Sequence, residues 1–176
     1  MARAQMEDTP VRHTLVALLE DKPGVLNRVV SLLRRRGFNI ESLTVGHSET
    51  KGVSRMTLVV EGDEAIIEQV VKQLYKLIEV VKVTDLSEER AVIRELALVK
   101  VNATASTRGE LMQIADIYRG KIVDLASDSV MIEITGAEDK IDSMIDLLRR
   151  FGIKEIVRTG RLAMLRGAAG VTKADD

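Results

Sequence analysis

"LLEDKPGVLNRVVSLLRRRGFNI", residues 18–40, runs from an apolar stretch through three charged residues and a Pro-Gly pair into an amphipathic segment. Leu26, Val29, Val30 and Leu33 recur at i, i+3, i+4 and i+7, one apolar face of a helix. Arg34, Arg35 and Arg36 fall in its last turn, where cations oppose the negative end of the helix dipole. Gly37 suits the left-handed position that closes a helix. The stretch therefore predicts the end of one strand, a turn, a helix and the start of a second strand.

Outward from it the pattern completes a unit. "HTLVALL", residues 13–19, is short and nearly all apolar, a buried strand. "FNIESLTV" and "VSRMTLVVEG", joined by the polar loop "GHSETKG", predict a hairpin. Ile66, Ile67, Val70, Val71 and Leu74 mark a second helix, and "EVVKVTDL" a fourth strand, giving the order β-α-β-β-α-β. The order then recurs: "ELALVKVNA", "TRGELMQIADIY" ending at Gly120, "KIVDLA" and "SVMIEITG" around Ser127-Asp128, "AEDKIDSMIDLLRRFG" and "KEIVRTG". Gly62, Glu64, Ile67, Val70, Val71 and Leu74 fall on Gly136, Glu138, Ile141, Met144, Ile145 and Leu148 at a constant shift. Matched apolar periods at matched positions predict an α+β chain of two tandem ferredoxin-like βαββαβ domains.

Residues 11–85 and 95–167 form the two expected domains, 86–94 ("LSEERAVIR") a linker, and 1–10 and 168–176 disordered ends. Each small unit leaves one sheet face uncovered, a marginal core that calls for a partner, so a dimer is expected. "GRLAMLRG", residues 160–167, short, basic and partly apolar, could dock on a partner protein or pack on the second domain, and packing is the expectation.

Composition removes several classes of function. With no cysteine there is no disulfide, thiolate nucleophile or sulfur-ligated zinc. The formal charge of −1 gives no general attraction to nucleic acid or anionic lipid. No apolar run approaches the roughly 20 residues of a membrane helix, and "MARAQMEDTP" lacks the apolar centre of a secretory signal, so a cytoplasmic location is expected. His13 and His47 stand apart from any local metal or base arrangement, and Ser54, Thr57, Ser127 and Ser129 have no base nearby in sequence to suggest a nucleophile. RNA-recognition modules share the β-α-β-β-α-β order, but they stack bases on sheet-face aromatics. Phe38, Tyr75, Tyr118 and Phe151 sit in no such motif.

The turn at 21–24 is the candidate site. Proline is favoured where a helix begins, and Asp21 or Lys22 is expected at or near the N-cap. Gly24 lets a ligand approach its peptide closely. A helix start with unpaired N–H groups attracts a carboxylate, and Asp21 beside it an ammonium, so the pair describes a site for a free amino acid. Asn39 offers a donor and an acceptor, Ile40 an apolar wall. Simple strand-to-helix punctuation is the competing reading, yet the second repeat makes the same connection with "NATASTRGE" and no Pro-Gly.

"LLEDKPGVLNRVVSLLRRRGFNIESLTVG", "SRMTLVVEGDEAIIEQVVKQLYKLIEVVKV", "RELALVKVNA" and "YRGKIVDL" resemble the regulatory (small) subunit of acetolactate synthase, also called acetohydroxyacid synthase, over residues 10–167. The resemblance implies an N-terminal ACT domain and a non-catalytic chain. Such a subunit binds and activates a large catalytic subunit carrying thiamine diphosphate, FAD and Mg²⁺, with no cofactor of its own. It confers feedback inhibition by valine or a related branched-chain amino acid. The resemblance further implies an effector site at a homodimer interface, with Asp21, Gly24 and Val25 from one protomer and Asn39 and Ile40 from the other. A stand-alone amino-acid sensor and a small hydrolase on the same scaffold are the rival readings. The latter would need an arginine in the loop that Asp21 occupies.

Overall fold

The structure, a computed structural model, describes residues 11–168 and residue 170. The expected disordered ends lie outside the described residues, apart from Ala168 and Gly170. The chain divides into two compact units, one of residues up to Ala91 together with the segment from Ala163 onward, the other of Val92–Leu162.

In the first unit the elements are β1 (Arg12–Glu20), α1 (Val25–Arg35), β2 (Asn39–His47), β3 (Val53–Glu61), α2 (Glu64–Leu74) and β4 (Val80–Asp85). They form an antiparallel sheet in the order β2-β3-β1-β4. The second unit repeats this with β5 (Ala91–Asn102), α3 (Arg108–Ile117), β6 (Lys121–Leu125), β7 (Ser129–Gly136), α4 (Glu138–Arg149) and β8 (Ile153–Arg158), in the order β6-β7-β5-β8. A short strand, β9 (Leu162–Leu165), pairs with β5. Both units are thus the expected ferredoxin-like α+β fold.

Alternation along β1 points Leu15, Ala17 and Leu19 into a core with Val29 and Leu33 of α1, Met56, Leu58 and Val60 of β3, and Ile67, Val70 and Leu74 of α2. A leucine buried to this depth contributes roughly 1.5–3 kcal/mol. The second core uses the equivalent positions, with Ile141, Met144 and Leu148 on α4. The C-terminus of α1 is closed as expected: Gly37 has φ 71°, and the N–H groups of Gly37 and Phe38 donate to the carbonyls of Arg34 and Leu33. Two orphan carbonyls are thereby satisfied, and Phe38 turns onto the core.

Three expectations change. Strand β5 opens at Ala91, inside the stretch expected as a linker, and it pairs with β9, which sequence periodicity does not reveal. The second face of the first sheet is not bare: Thr14, Val16, Leu18, Thr57 and Val59 are all buried. Arg55 shares that face and donates from Nη2 to the carbonyl of Ala163 at 2.8 Å, and the segment holding Ala163, expected on the second domain alone, groups with the first unit although β9 pairs with β5. Burial lowers the pKa of Arg55, yet its guanidinium spends one donor on that carbonyl.

Candidate functional site

The turn leading into α1 is built from backbone. Lys22, Pro23, Gly24 and Val25 form a tight turn in which the Val25 N–H donates to the Lys22 carbonyl at 3.3 Å. Gly24, at φ 84° and ψ −8°, takes the third position, which requires positive φ, and Pro23 the second, whose φ the ring presets. Gly24 is the N-cap itself, so Asp21 and Lys22 lie outside the helix and neither caps it. Among the described residues no side chain caps α1, and its first turn holds no acidic residue. With the Val25 N–H taken by the Lys22 carbonyl, the N–H groups of Leu26 and Asn27 keep their positive partial charge for water or an anion. At α2, by contrast, Asp63 accepts from the Ile66 N–H at 2.9 Å and Glu64 occupies the first turn.

Surrounding elements hold the turn in place. The Glu20 N–H donates to the Glu79 carbonyl at 2.9 Å, and the Asp21 N–H to the Gly52 carbonyl at 2.8 Å. Arg28 pairs with Glu79 at 2.5 Å, and a Cβ on Gly24 would lie 3.4 Å from its guanidinium. The Asp21 carboxylate is half-exposed, with Oδ2 3.2 Å from Nδ1 of His47 at the end of β2. Sequence reading set His47 aside. Only the β2–β3 pairing carries it to Asp21, and nothing local in the sequence signals that.

Of the five expected residues, Asp21, Gly24 and Val25 come together. Val25 is 4% exposed with its side chain in the core, and its N–H donates to the Lys22 carbonyl, so its part here is to close the turn. Asn39 and Ile40 lie elsewhere. Glu20 is opposite Val53 and Asn39 opposite Glu61, the two ends of β3. Eight residues of strand separate them, about 26 Å. Asn39 Nδ2 donates to Glu61 at 2.5 Å, and Ile40 packs at the margin of the first core.

No helix is long and apolar enough to cross a membrane, and no cluster of three or more His, Asp or Glu could hold a metal, both among the described residues.

Two tandem ferredoxin-like units, the first with a strand-to-helix turn open to an anion, place the chain in the ACT class of regulatory modules. Residues 15–82 match the family described as "AHAS small subunit-like ACT domain", and residues 94–167 the family "Small subunit of acetolactate synthase". The chain belongs to the acetolactate synthase small-subunit family. A protein from Archaeoglobus fulgidus named "Probable acetolactate synthase small subunit" is 55% identical over 157 residues, 89% of this chain and 98% of the relative. The acetolactate synthase small subunit of Mycolicibacterium smegmatis is 48% identical, covering 92% and 95% of the two chains. The crystal structure of the Thermotoga maritima small subunit superimposes with a TM-score of 0.84 at 47% identity, covering 90% of this chain and 99% of that one.

Proposed function

We propose that this chain binds a catalytic acetolactate synthase subunit in the cytoplasm, activates it, and makes it sensitive to valine or a related branched-chain amino acid. The chemistry belongs to the catalytic subunit, with its thiamine diphosphate, FAD and Mg²⁺. The effector carboxylate meets the uncapped start of α1 and its ammonium meets Asp21. Its aliphatic side chain lies against an aliphatic wall to which Ile40 contributes.

One observation carries this reading: Asn39 and Ile40 sit at the far end of β3 from the turn, so a single protomer cannot assemble all five residues. Strand β2 is a sheet edge, open to pairing with a second copy. Antiparallel pairing of two β2 strands about a two-fold axis sets the partner subunit's Asn39 against the His47 end, where Asp21 lies. A pocket complete at only one relative orientation of two protomers binds one arrangement better than another, the condition for an effector to shift an equilibrium. Coupling of usual strength, about 1–3 kcal/mol, corresponds to a 5–150-fold change.

The test is reconstitution with a catalytic subunit, reading acetolactate formed from pyruvate. Stimulation by the chain and its reversal by valine are expected. Valine binding with no effect on the synthase would leave a stand-alone sensor instead.

A further inference from the structure

A second cleft lies in the first unit, away from the 21–24 turn, with a volume of about 420 Å³. Alternation along β1 puts His13 on the same side of the sheet as Leu15, one residue pair beyond the core. There it lines the cleft beside Ile67 of α2. His13 is 8% exposed, and its Nδ1 has no hydrogen-bond partner among the described residues. The closest acidic oxygen, Asp85 Oδ2, stands 3.5 Å away, too far for a good bond. The other Asp85 oxygen accepts from the Ser87 N–H at 2.9 Å and its hydroxyl at 2.5 Å, which fixes the carboxylate.

Every other ionisable side chain lining the cleft is a carboxylate, contributed by α2, by Asp85 at the end of β4 and by the loop that follows. Glu68 is paired with Lys72 at 2.6 Å. Glu64 and Glu89 are exposed and have no ion pair among the described residues. A nine-tenths-buried imidazole nitrogen without a partner normally finds one. A group that completes the cleft can donate to Nδ1 in the tautomer with its proton on Nε2, carries positive charge for the carboxylates and presents an apolar stem to Ile67. No three of these groups converge on a single metal position. The carboxylates come from β4, α2 and the loop after β4, an arrangement that suits separated charges on a chain.

We propose that this cleft binds an elongated alkylammonium, a linear polyamine, with one amine hydrogen-bonded to His13 Nδ1 beside Asp85 and another between Glu64 and Glu89. The reading is independent of the effector site.

The experiment is calorimetric titration of the full chain with spermidine at near-physiological ionic strength, with the His13 ring followed by NMR. Saturable binding at one equivalent per chain is expected, with a shift of the His13 signals. Glu64→Gln/Glu89→Gln, which alters only exposed side chains, should weaken it about ten-fold. Heat that disappears when sodium chloride replaces the added charge, an unmoved His13 signal, or unchanged affinity in the double variant would overturn the proposal. Tighter binding of N-acetyl-lysine amide than of spermidine would also overturn it, pointing to a lysine of a partner protein.

Discussion

Gly24→Asp is expected to weaken valine binding by at least about 100-fold while leaving stimulation of the catalytic subunit in place. Two effects add. The effector carboxylate loses a charge-assisted bond of about 1.5–3 kcal/mol, and it meets a like charge at the same helix start. The new carboxylate can accept from the first-turn N–H groups that no side chain now caps. The fold should survive, since aspartate is among the residues that tolerate the left-handed region best, although Gly24 has φ 84°. Gly24→Ala separates the causes. Its Cβ would make ordinary contact with Arg28 at 3.4 Å and carry at least as much backbone strain without the charge. The expected order of affinity by calorimetry is wild type, Gly24→Ala, Gly24→Asp. Normal valine binding by the aspartate variant would mean that the pocket is misplaced.

Arg158→Met should destabilise the second unit by about 3–5 kcal/mol, because it strands a buried carboxylate. Glu95 is 5% exposed. Arg158 grips both of its oxygens, Nε to Oε1 at 2.8 Å and Nη2 to Oε2 at 2.6 Å, and its Nη1 reaches Asp142 at 2.7 Å. These bonds, Glu95's foremost, raise the Arg158 pKa and keep the guanidinium charged. Glu95→Leu/Arg158→Met removes both charges, and the double variant should be more stable than Arg158→Met alone. Urea unfolding followed by circular dichroism measures both. A loss below about 1 kcal/mol in the single variant would place the pair among ordinary surface bridges.

Much of the architecture could be read from the chain because it rests on local periodicity. The match of Ile67, Val70 and Leu74 to Ile141, Met144 and Leu148 reappears as equivalent buried faces of α2 and α4. Gly37 was assignable since a helix end makes a local demand on φ. What escaped sequence reading depends on distant partners. Strand β9 has only four residues and exists through its pairing with β5, so no periodicity marks it. The second face of the first sheet is buried, and Arg55 on it meets a carbonyl 108 residues away.

The same distinction holds at the site. Pro23 and Gly24 announced a turn, but the helix begins later than the proline suggested. The turn takes glycine's positive φ as its third residue, and that residue becomes the cap. The meeting of Asp21 with His47 follows from strand register, and the separation of Asn39 from Gly24 from strand length.

The central claim is that each effector site draws residues from two protomers, and mixed dimers of Gly24→Asp and Asn39→Ala test it most directly. Each homodimer has two defective sites. In a mixed dimer with shared sites, one site combines Gly24 from one protomer with Asn39 from the other, both intact, and its counterpart carries both substitutions. Calorimetry on purified mixed dimers should therefore recover one valine per dimer at near wild-type affinity. Normal valine binding by the Asn39→Ala homodimer would mean that each site lies within a single protomer and omits Asn39, and no recovery in the mixed dimer would equally contradict this account.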